Sequence, residues 1–228
     1  MSDPQRILVV GATGLIGSEV IELAVGREDV SLVALARNEI PLPEGARMEV
    51  MLAEPDGWPQ AVATIAPEVV ICALGTTWKK SGRDEDAFRA VDHDLVMIVA
   101  EAAKAAGAGH FVLVSSAGAS RMSQQFYLRT KGEVEEAVGK LKFRRLDILR
   151  PGLLRGKREN DRRLGERLGI LASPLGNLLL QGDKKQFRAI DASVVAIGAL
   201  QAAREKAGGR FVHDNDGIAR LVSRFERF

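Results

Sequence analysis

The sequence predicts an α/β protein built on a single doubly wound parallel sheet. Short apolar runs alternate with longer amphipathic segments, which is the order of strands joined by crossover helices. Runs such as 7–10 and 69–73 are apolar throughout, as expected of strands that helices cover on both faces. The chain has 228 residues, a length at which one α/β domain buries a full core.

The predicted elements follow one another in this alternating order. Strands are expected at 6–10, 31–36, 47–52, 68–73, 110–115 and 144–150. Helices are expected near 15–26, 57–65, 84–106, 122–140, 160–171 and 191–206, before a weak strand at 210–213 and a short final helix. The 84–106 helix has the clearest pattern, because its apolar residues recur at three- and four-residue steps.

Residues 152–190 are the least regular part of the chain, with six glycines and a run of arginines. A late segment of this kind lies above the carboxyl ends of the strands in a doubly wound fold, where ligands bind. We expect it to be a small C-terminal part that covers a substrate, with a plain surface loop and helix as the alternative. No linker or repeat divides the chain, so residues 1–228 are predicted to form one domain.

The composition excludes several classes of function. Lysine and arginine total 32 against 30 acidic residues, a balance that argues against binding nucleic acid or anionic lipid through charge. The single cysteine, Cys72, excludes an internal disulfide and a cysteine-based metal site. No apolar run approaches the roughly 18 residues of a membrane span. We therefore expect a cytoplasmic protein, monomeric or homodimeric, without a metal, nucleic-acid or membrane partner.

A glycine motif directly follows the first strand and precedes a helix. Gly11 suits the tight turn, Gly14 lets a pyrophosphate approach the backbone, and Gly17 lets the helix pack on the strand. The helix N-terminus adds free N–H groups and a positive dipole end. The motif predicts a dinucleotide site, with a structural turn as the alternative. The predicted contacts are Gly11, Ala12, Thr13, Gly14, Leu15, Ile16 and Gly17.

The end of the second strand indicates which dinucleotide is preferred. An acidic residue there would bind ribose hydroxyls and favour NAD, but this chain has Arg37, whose planar fork matches a 2′-phosphate. NADP(H) is therefore preferred and NAD(H) is the alternative, with Glu39 as the competing acidic residue. Further cofactor contacts are expected at the ends of the third and fourth strands, at Leu52, Ala53, Leu74, Gly75 and Thr76.

The only tyrosine, Tyr127, lies four residues before Lys131. At this spacing the two side chains share one helix face, and an ammonium favours the ionised form of a nearby phenol. Such a pair suits acid–base chemistry, although taken alone it is a common feature of helical surfaces. Upstream, the fifth strand ends in Ser115 and Ser116, which supply hydroxyl groups close in sequence to the tyrosine.

Together, these motifs resemble a known family. The glycine motif, the serine pair, the Tyr127-x-x-x-Lys131 motif and Arg150-Pro151-Gly152 look like an atypical, short member of the short-chain dehydrogenase/reductase superfamily. Residues 74–77, 91–92, 127–135 and 149–153 are similar to its Tat-interacting-protein-like branch. The resemblance covers about residues 6–215 and implies an NAD(P)-binding Rossmann fold.

The resemblance also implies roles for individual residues. Tyr127 would exchange a proton with a substrate, Lys131 would assist it and hold the nicotinamide ribose, and Ser116 would polarise a carbonyl. Ser115 would touch the cofactor, although the two serines are interchangeable at this stage. Pro151, Gly152, Leu153 and Leu154 would lie along the nicotinamide.

The resulting hypothesis is an NADP(H)-dependent oxidoreductase that transfers hydride between nicotinamide and a small carbonyl or alcohol. The alternative is a non-catalytic NADP(H)-binding regulator or scaffold, because the superfamily contains such proteins. Two departures bear on the choice: Asp92 stands where many relatives have an asparagine of a proton relay, and the spacing from Ser116 to Tyr127 is short.

Overall fold

A computed structural model describes residues 4–156 and 182–225. Its strands are β1 (Gln5–Val10), β2 (Val30–Ala36), β3 (Glu49–Leu52), β4 (Val69–Cys72), β5 (His110–Val114), β6 (Arg145–Leu149), β7 (Leu154–Arg155), β8 (Ile190–Asp191) and β9 (Gly209–His213). Its α-helices are α1 (Leu15–Ala24), α2 (Trp58–Ile65), α3 (Glu85–Arg89), α4 (Leu95–Ala105), α5 (Phe126–Lys140), α6 (Ala192–Arg204) and α7 (Asn215–Phe225).

Seven of these strands form one sheet in the order β3-β2-β1-β4-β5-β6-β9, and every neighbouring pair is parallel. The chain runs outward from β1 to β3 and then returns to the other side of β1 at β4. The sheet therefore changes winding direction between β1 and β4, and crevices for ligands open at such a switch point. The predicted α/β class and doubly wound sheet are confirmed.

Helices cover both faces of this sheet. One core joins the face of β1 bearing Leu8 and Val10 to α2, α4 and α5, and the other joins the face bearing Ile7 and Val9 to α1, α6 and α7. Because both faces are buried there, residues 7–10 of β1 all need apolar side chains, which explains the unbroken apolar runs of the sequence.

The largest difference from the prediction lies in the 84–106 helix. The structure divides it into α3, a π-helical turn at Ala90–Asp94, and α4. A π turn adds a residue to the helical repeat and is frequent at functional sites. The apolar spacing of the sequence does not reveal it, because α3 and α4 each keep their own inward face.

Other boundaries differ less. Helix α5 begins at Phe126 rather than near residue 122, β3 begins at Glu49 rather than Arg47, and α7 extends over 11 residues. The predicted helix at 160–171, and with it most of the predicted covering segment, lies outside the described residues. In the described ranges, no helix is both long and apolar enough to cross a membrane.

Candidate functional site: a glycine turn beside a buried lysine

The glycine turn packs directly against the end of β4. Gly11 has a φ of 87°, and a Cβ there would lie 2.5 Å from the Ala73 carbonyl oxygen. The Gly14 amide donates to the Gly11 carbonyl at 2.9 Å, which closes the turn. A Cβ on Gly17 would overlap Gly11, so these two glycines are required sterically for helix α1 to start this close to β1. The turn therefore needs glycine even before any ligand is considered.

The start of α1 is suited to an anion. Its N-cap is Gly14, so no side chain caps the helix, and its first turn holds no acidic residue. The free N–H groups and the positive end of the helix dipole thus remain available to a phosphate. Ala12 and Ile16 are buried in the core, which leaves their backbone as the part that a cofactor could contact. These features fit a dinucleotide.

The loop after β4 connects the glycine turn to the predicted catalytic lysine. Gly75 lies in this loop, and a Cβ there would be 3.4 Å from Asp92 Oδ1 and 3.7 Å from Lys131 Nζ. The loop therefore passes between the glycine turn, which touches Ala73, and the side chain of Lys131. Three segments that are distant in sequence meet here at the carboxyl edge of the sheet.

Lys131 is buried against Asp92. Its Nζ lies 2.8 Å from Asp92 Oδ1, and the other carboxylate oxygen accepts the Thr76 amide at 2.7 Å. Burial alone would lower the pKa of Lys131, but the Asp92 carboxylate and, less strongly, Tyr127 outweigh it and raise that pKa. Lys131 therefore stays an ammonium group. Asp92 comes from the π turn, which directs its carboxylate inward.

Tyr127 lies one helical turn before Lys131 on α5, so the two side chains share a face. It is half-buried, and its ring packs edge-on against buried Phe88 at 5.6 Å between centroids. Within the described part of the chain, the Tyr127 hydroxyl has no hydrogen-bond partner. Phenol and ammonium thus lie on one face of the helix, and the hydroxyl is not engaged by another described residue.

The two serines have different surroundings. Ser115 Oγ donates to Glu135 Oε1 at 2.5 Å, and the same buried carboxylate accepts the Arg150 guanidinium. Ser116 is half-buried, and its hydroxyl makes only a long contact of 3.4 Å with the Ala117 carbonyl. The Ser116 hydroxyl therefore makes the weaker hydrogen bond of the two and is the more available to a ligand. Glu135 was not recognised from the sequence, because its partners lie 15 and 20 residues away.

Residues Pro151 to Leu154 are held by the C-terminal part of the chain. Asn215 accepts the Gly152 amide at 3.0 Å and donates to the Arg188 carbonyl at 2.8 Å. A Cβ on Gly152 would overlap that carbonyl, and β7 pairs with β8 next to it. Asn215 was not predicted from the sequence, where its one signal is its place at the start of the last helix.

Arg37 lies at a different part of the same sheet edge. It is exposed directly after β2 and has no ion-pair partner among the described residues. Nearby, Leu52 is 48% exposed, and the Ala53 amide donates to the Ala36 carbonyl at 3.0 Å. The geometry thus separates the predicted adenosine contacts from Tyr127 and Lys131, with the glycine turn between them. This is the order along an extended dinucleotide.

The fold and the glycine turn define an NAD(P)-binding protein of the Rossmann type. Residues 11–171 match the family described as NAD(P)H-binding, and the chain belongs to that family. The predicted NAD(P)-binding Rossmann fold is thereby confirmed, and it fits the resemblance to the atypical short-chain dehydrogenases/reductases.

Curated relatives include fungal proteins named "Protein FMP52, mitochondrial". The Emericella nidulans protein is 30% identical over 90% of this chain and 89% of its own. The Saccharomyces cerevisiae protein is 40% identical over 69% of each chain. These names contradict the expected cytoplasmic location, so that prediction is wrong. It rested on the balanced charge, the single cysteine and the lack of an apolar run of membrane length, none of which excludes a mitochondrial protein.

Several solved structures of similar fold are complexes with NAD. MoeE5 in complex with UDP-glucose and NAD has a TM-score of 0.69 at 20% identity, over 96% of this chain and 80% of that one. The Thermus thermophilus UDP-glucose 4-epimerase complex with NAD has a TM-score of 0.68 at 17% identity, over 97% and 82%. At these identities the likeness shows the fold alone.

Proposed function

We propose that this protein is an NADP(H)-dependent oxidoreductase that transfers hydride between nicotinamide and a small carbonyl or alcohol substrate. The observation that carries the proposal is the Tyr127–Lys131 pair on one face of α5, with Lys131 buried beside the loop that touches the glycine turn. A titratable side chain whose pKa is shifted by burial and by a specific charged partner, at the carboxyl edge of the sheet, is typical of functional sites.

The cofactor would extend along the carboxyl edge of the sheet. Gly11 to Gly17 would hold its pyrophosphate, Leu52 and Ala53 its adenine side, and Leu74 to Thr76 its ribose side. Ser115 and residues 151–154 would border the nicotinamide. When bound, the dinucleotide supplies or accepts a hydride at the nicotinamide C4.

The side chains would complete the proton balance of carbonyl reduction. As the carbonyl carbon gains a C–H bond, its π bond breaks and the oxygen takes the proton of the Tyr127 hydroxyl. The Lys131 ammonium stabilises the phenolate that remains, and the Ser116 hydroxyl donates a hydrogen bond to the same substrate oxygen. Alcohol oxidation reverses these steps, with the phenolate as proton acceptor.

The preference for NADP(H) is supported by Arg37. It is exposed beside the end of β3, where a 2′-phosphate would lie, and no described acidic side chain neutralises it. An arginine fork binds a phosphate through charge-assisted hydrogen bonds.

The test is the transfer of deuterium from labelled cofactor. NADPH deuterated at C4, in each stereoisomer, is incubated with aldehydes and ketones, and the alcohol products are analysed by mass spectrometry. We expect deuterium on the former carbonyl carbon from one stereoisomer only. Tight NADPH binding without turnover of any carbonyl compound would instead support the regulator or scaffold.

A further inference from the structure

Trp78 is an exposed aromatic residue at the edge of the candidate site. It lies in the loop after β4, three residues beyond Gly75, and 41% of its surface is accessible. Its backbone is fixed, because its carbonyl accepts the Arg83 amide at 2.9 Å and the Ser81 hydroxyl at 3.0 Å. The Trp78 ring therefore presents an exposed apolar surface that a ligand could contact.

Trp78 belongs to a continuous aromatic wall, which consists of Trp78, Phe126, Phe88 and Tyr127. The Trp78 ring lies 5.7 Å from Phe126 and 6.4 Å from Phe88, and Phe88 lies 5.6 Å from Tyr127. Phe88 and Phe126 are also in contact, at 5.7 Å. Phe88 is buried, so these contacts connect the exposed ring of Trp78 to that of Tyr127 through the core, with Phe126 half-buried beside Trp78.

A second exposed aromatic lies near the predicted serine. Phe187 is 42% exposed, and its ring lies close enough to Gly118 that a Cβ there would be 3.1 Å from Phe187 Cε1. Gly118 follows Ser116 by two residues, and Leu128, next to Tyr127, also borders it. The surroundings of the proposed proton donor and of Ser116 are therefore rich in flat apolar surface.

Such a surface selects a particular kind of carbonyl compound. We propose that the substrate carries an aromatic ring directly attached to its reacting carbonyl, as in an aryl aldehyde or ketone, and that this ring packs on Trp78 and Phe126. The proposal rests on the proposed function and adds the substrate class. Aromatic pairs gain stability beyond the area they bury.

The test compares two aldehydes that differ only in the ring. Benzaldehyde and cyclohexanecarboxaldehyde carry the same reacting group on rings of similar size, and 2-naphthaldehyde enlarges the aromatic surface. With NADPH, we expect kcat/KM to rise from cyclohexanecarboxaldehyde to benzaldehyde to 2-naphthaldehyde. Equal values for the first two compounds, or a preference for the saturated ring, would overturn the proposal.

Trp78→Ala then tests the site of the ring. We expect it to lower kcat/KM for 2-naphthaldehyde about tenfold, mainly through KM, while propanal reduction and NADPH affinity stay unchanged. Trp78→Phe should restore most of the loss, and Val212→Ala, which removes an exposed apolar side chain from edge strand β9, should have no effect. An equal loss of kcat/KM with 2-naphthaldehyde and with propanal would contradict a role for Trp78 in recognising the ring.

A direct binding measurement separates this inference from the proposed function. The probe is 2-naphthamide, which has the same ring system but is not an aldehyde and is therefore not a substrate for reduction. It is titrated into protein saturated with NADP⁺, and binding is measured by calorimetry. Binding to the wild type and weaker binding to Trp78→Ala would support the aromatic subsite. If the same protein reduced no aldehyde, the proposed reaction would be contradicted while the subsite remained supported. No binding to the wild type overturns the subsite, even with aldehyde turnover intact.

Discussion

Two buried carboxylates, Asp92 and Asp147, are both almost inaccessible to solvent, yet they belong to different kinds of cluster. Asp147, in the middle of β6, accepts His110 at 2.8 Å, His213 at 2.7 Å and the Arg145 guanidinium through both oxygens. All four residues belong to the adjacent strands β5, β6 and β9. Asp92 instead joins the π turn to Lys131 on α5 and to the loop after β4.

The two clusters differ in how fully their hydrogen-bonding groups are occupied. Burial would raise the pKa of Asp147, but its hydrogen bonds to His110, His213 and Arg145 hold that pKa far below its ordinary value. Its oxygens are fully occupied inside the sheet. The Asp92–Lys131 ion pair lies where loops meet at the carboxyl edge, and an ammonium group with three donors retains donors for a ligand. A site needs such spare capacity, whereas a structural cluster does not.

The largest expected effect is on activity, from Tyr127→Phe. Loss of a general acid costs about 10²–10⁴-fold in rate, so we expect kcat to fall in this range in the NADPH-dependent reduction of an accepted aldehyde. NADPH affinity and the unfolding free energy should stay close to those of the wild type, because the hydroxyl has no partner in the described structure. Retention of most of the activity would remove Tyr127 from the chemistry.

For the second carboxylate, we expect Asp147→Asn to lower the unfolding free energy. Removing one partner of a buried ionic cluster costs about 3–5 kcal/mol, which urea unfolding at pH 7 measures. Because the folded-state pKa of Asp147 is lowered, its stabilising contribution is present above the ordinary aspartate pKa and is lost as the pH falls below about 4. The difference in unfolding free energy between Asp147→Asn and the wild type should therefore become smaller as the pH falls.

Glu136→Gln is the matched control for this measurement. Glu136 pairs with Arg121 and Lys140 on the exposed side of α5, and exposed pairs contribute little to stability because water and salt screen them. We expect almost no change in its unfolding free energy. A similar loss from Glu136→Gln and Asp147→Asn would mean that the Asp147 cluster has no special structural role.

The sequence predicted those features that depend on local pattern. The sheet and most helices follow from apolar periodicity, and the glycine turn follows from the steric needs of a strand that leads directly into a helix. The order of motifs along the chain also placed the Ser115-Ser116 pair and Tyr127 near the same sheet edge, since the carboxyl ends of parallel strands meet there.

What the sequence did not predict depends on contacts between distant segments. The π turn adds one residue to a helix whose apolar spacing looks regular on both sides, so no local signal marks it. Glu135 is one acidic residue among several on α5 until Ser115 and Arg150 approach it in the fold. Asn215 acquires its role only when residues 152 and 188 come together.

At the adenosine end of the site, Arg37→Ser tests cofactor preference. Loss of a charge-assisted contact with a 2′-phosphate costs roughly 1.5–3 kcal/mol, so we expect NADPH affinity to fall at least tenfold, measured by fluorescence titration. NADH affinity should be unchanged, since NADH lacks this phosphate. Arg47→Ser, at another exposed arginine of the same charge, is the control. Equal losses for both cofactors would contradict the NADP(H) preference.

The smallest expected effect is on the pH dependence of activity. We expect Asp92→Asn to change the pH profile of kcat/KM for NADPH-dependent aldehyde reduction. Asparagine can still accept the Thr76 amide, but it no longer offsets the burial that lowers the pKa of Lys131. The lysine should then lose its proton at lower pH, so the alkaline decline of kcat/KM should begin at lower pH than in the wild type.

Asp94→Asn serves as the control, because Asp94 lies on the same π turn but is exposed and pairs with His93. Removing its charge changes the helix in the same way without altering the surroundings of Lys131. A shift in the profile of Asp92→Asn alone would show that the buried carboxylate maintains the charge of the lysine during catalysis. If both variants keep the wild-type profile, Asp92 is a structural partner like Asp147, and its place beside the site has no catalytic consequence.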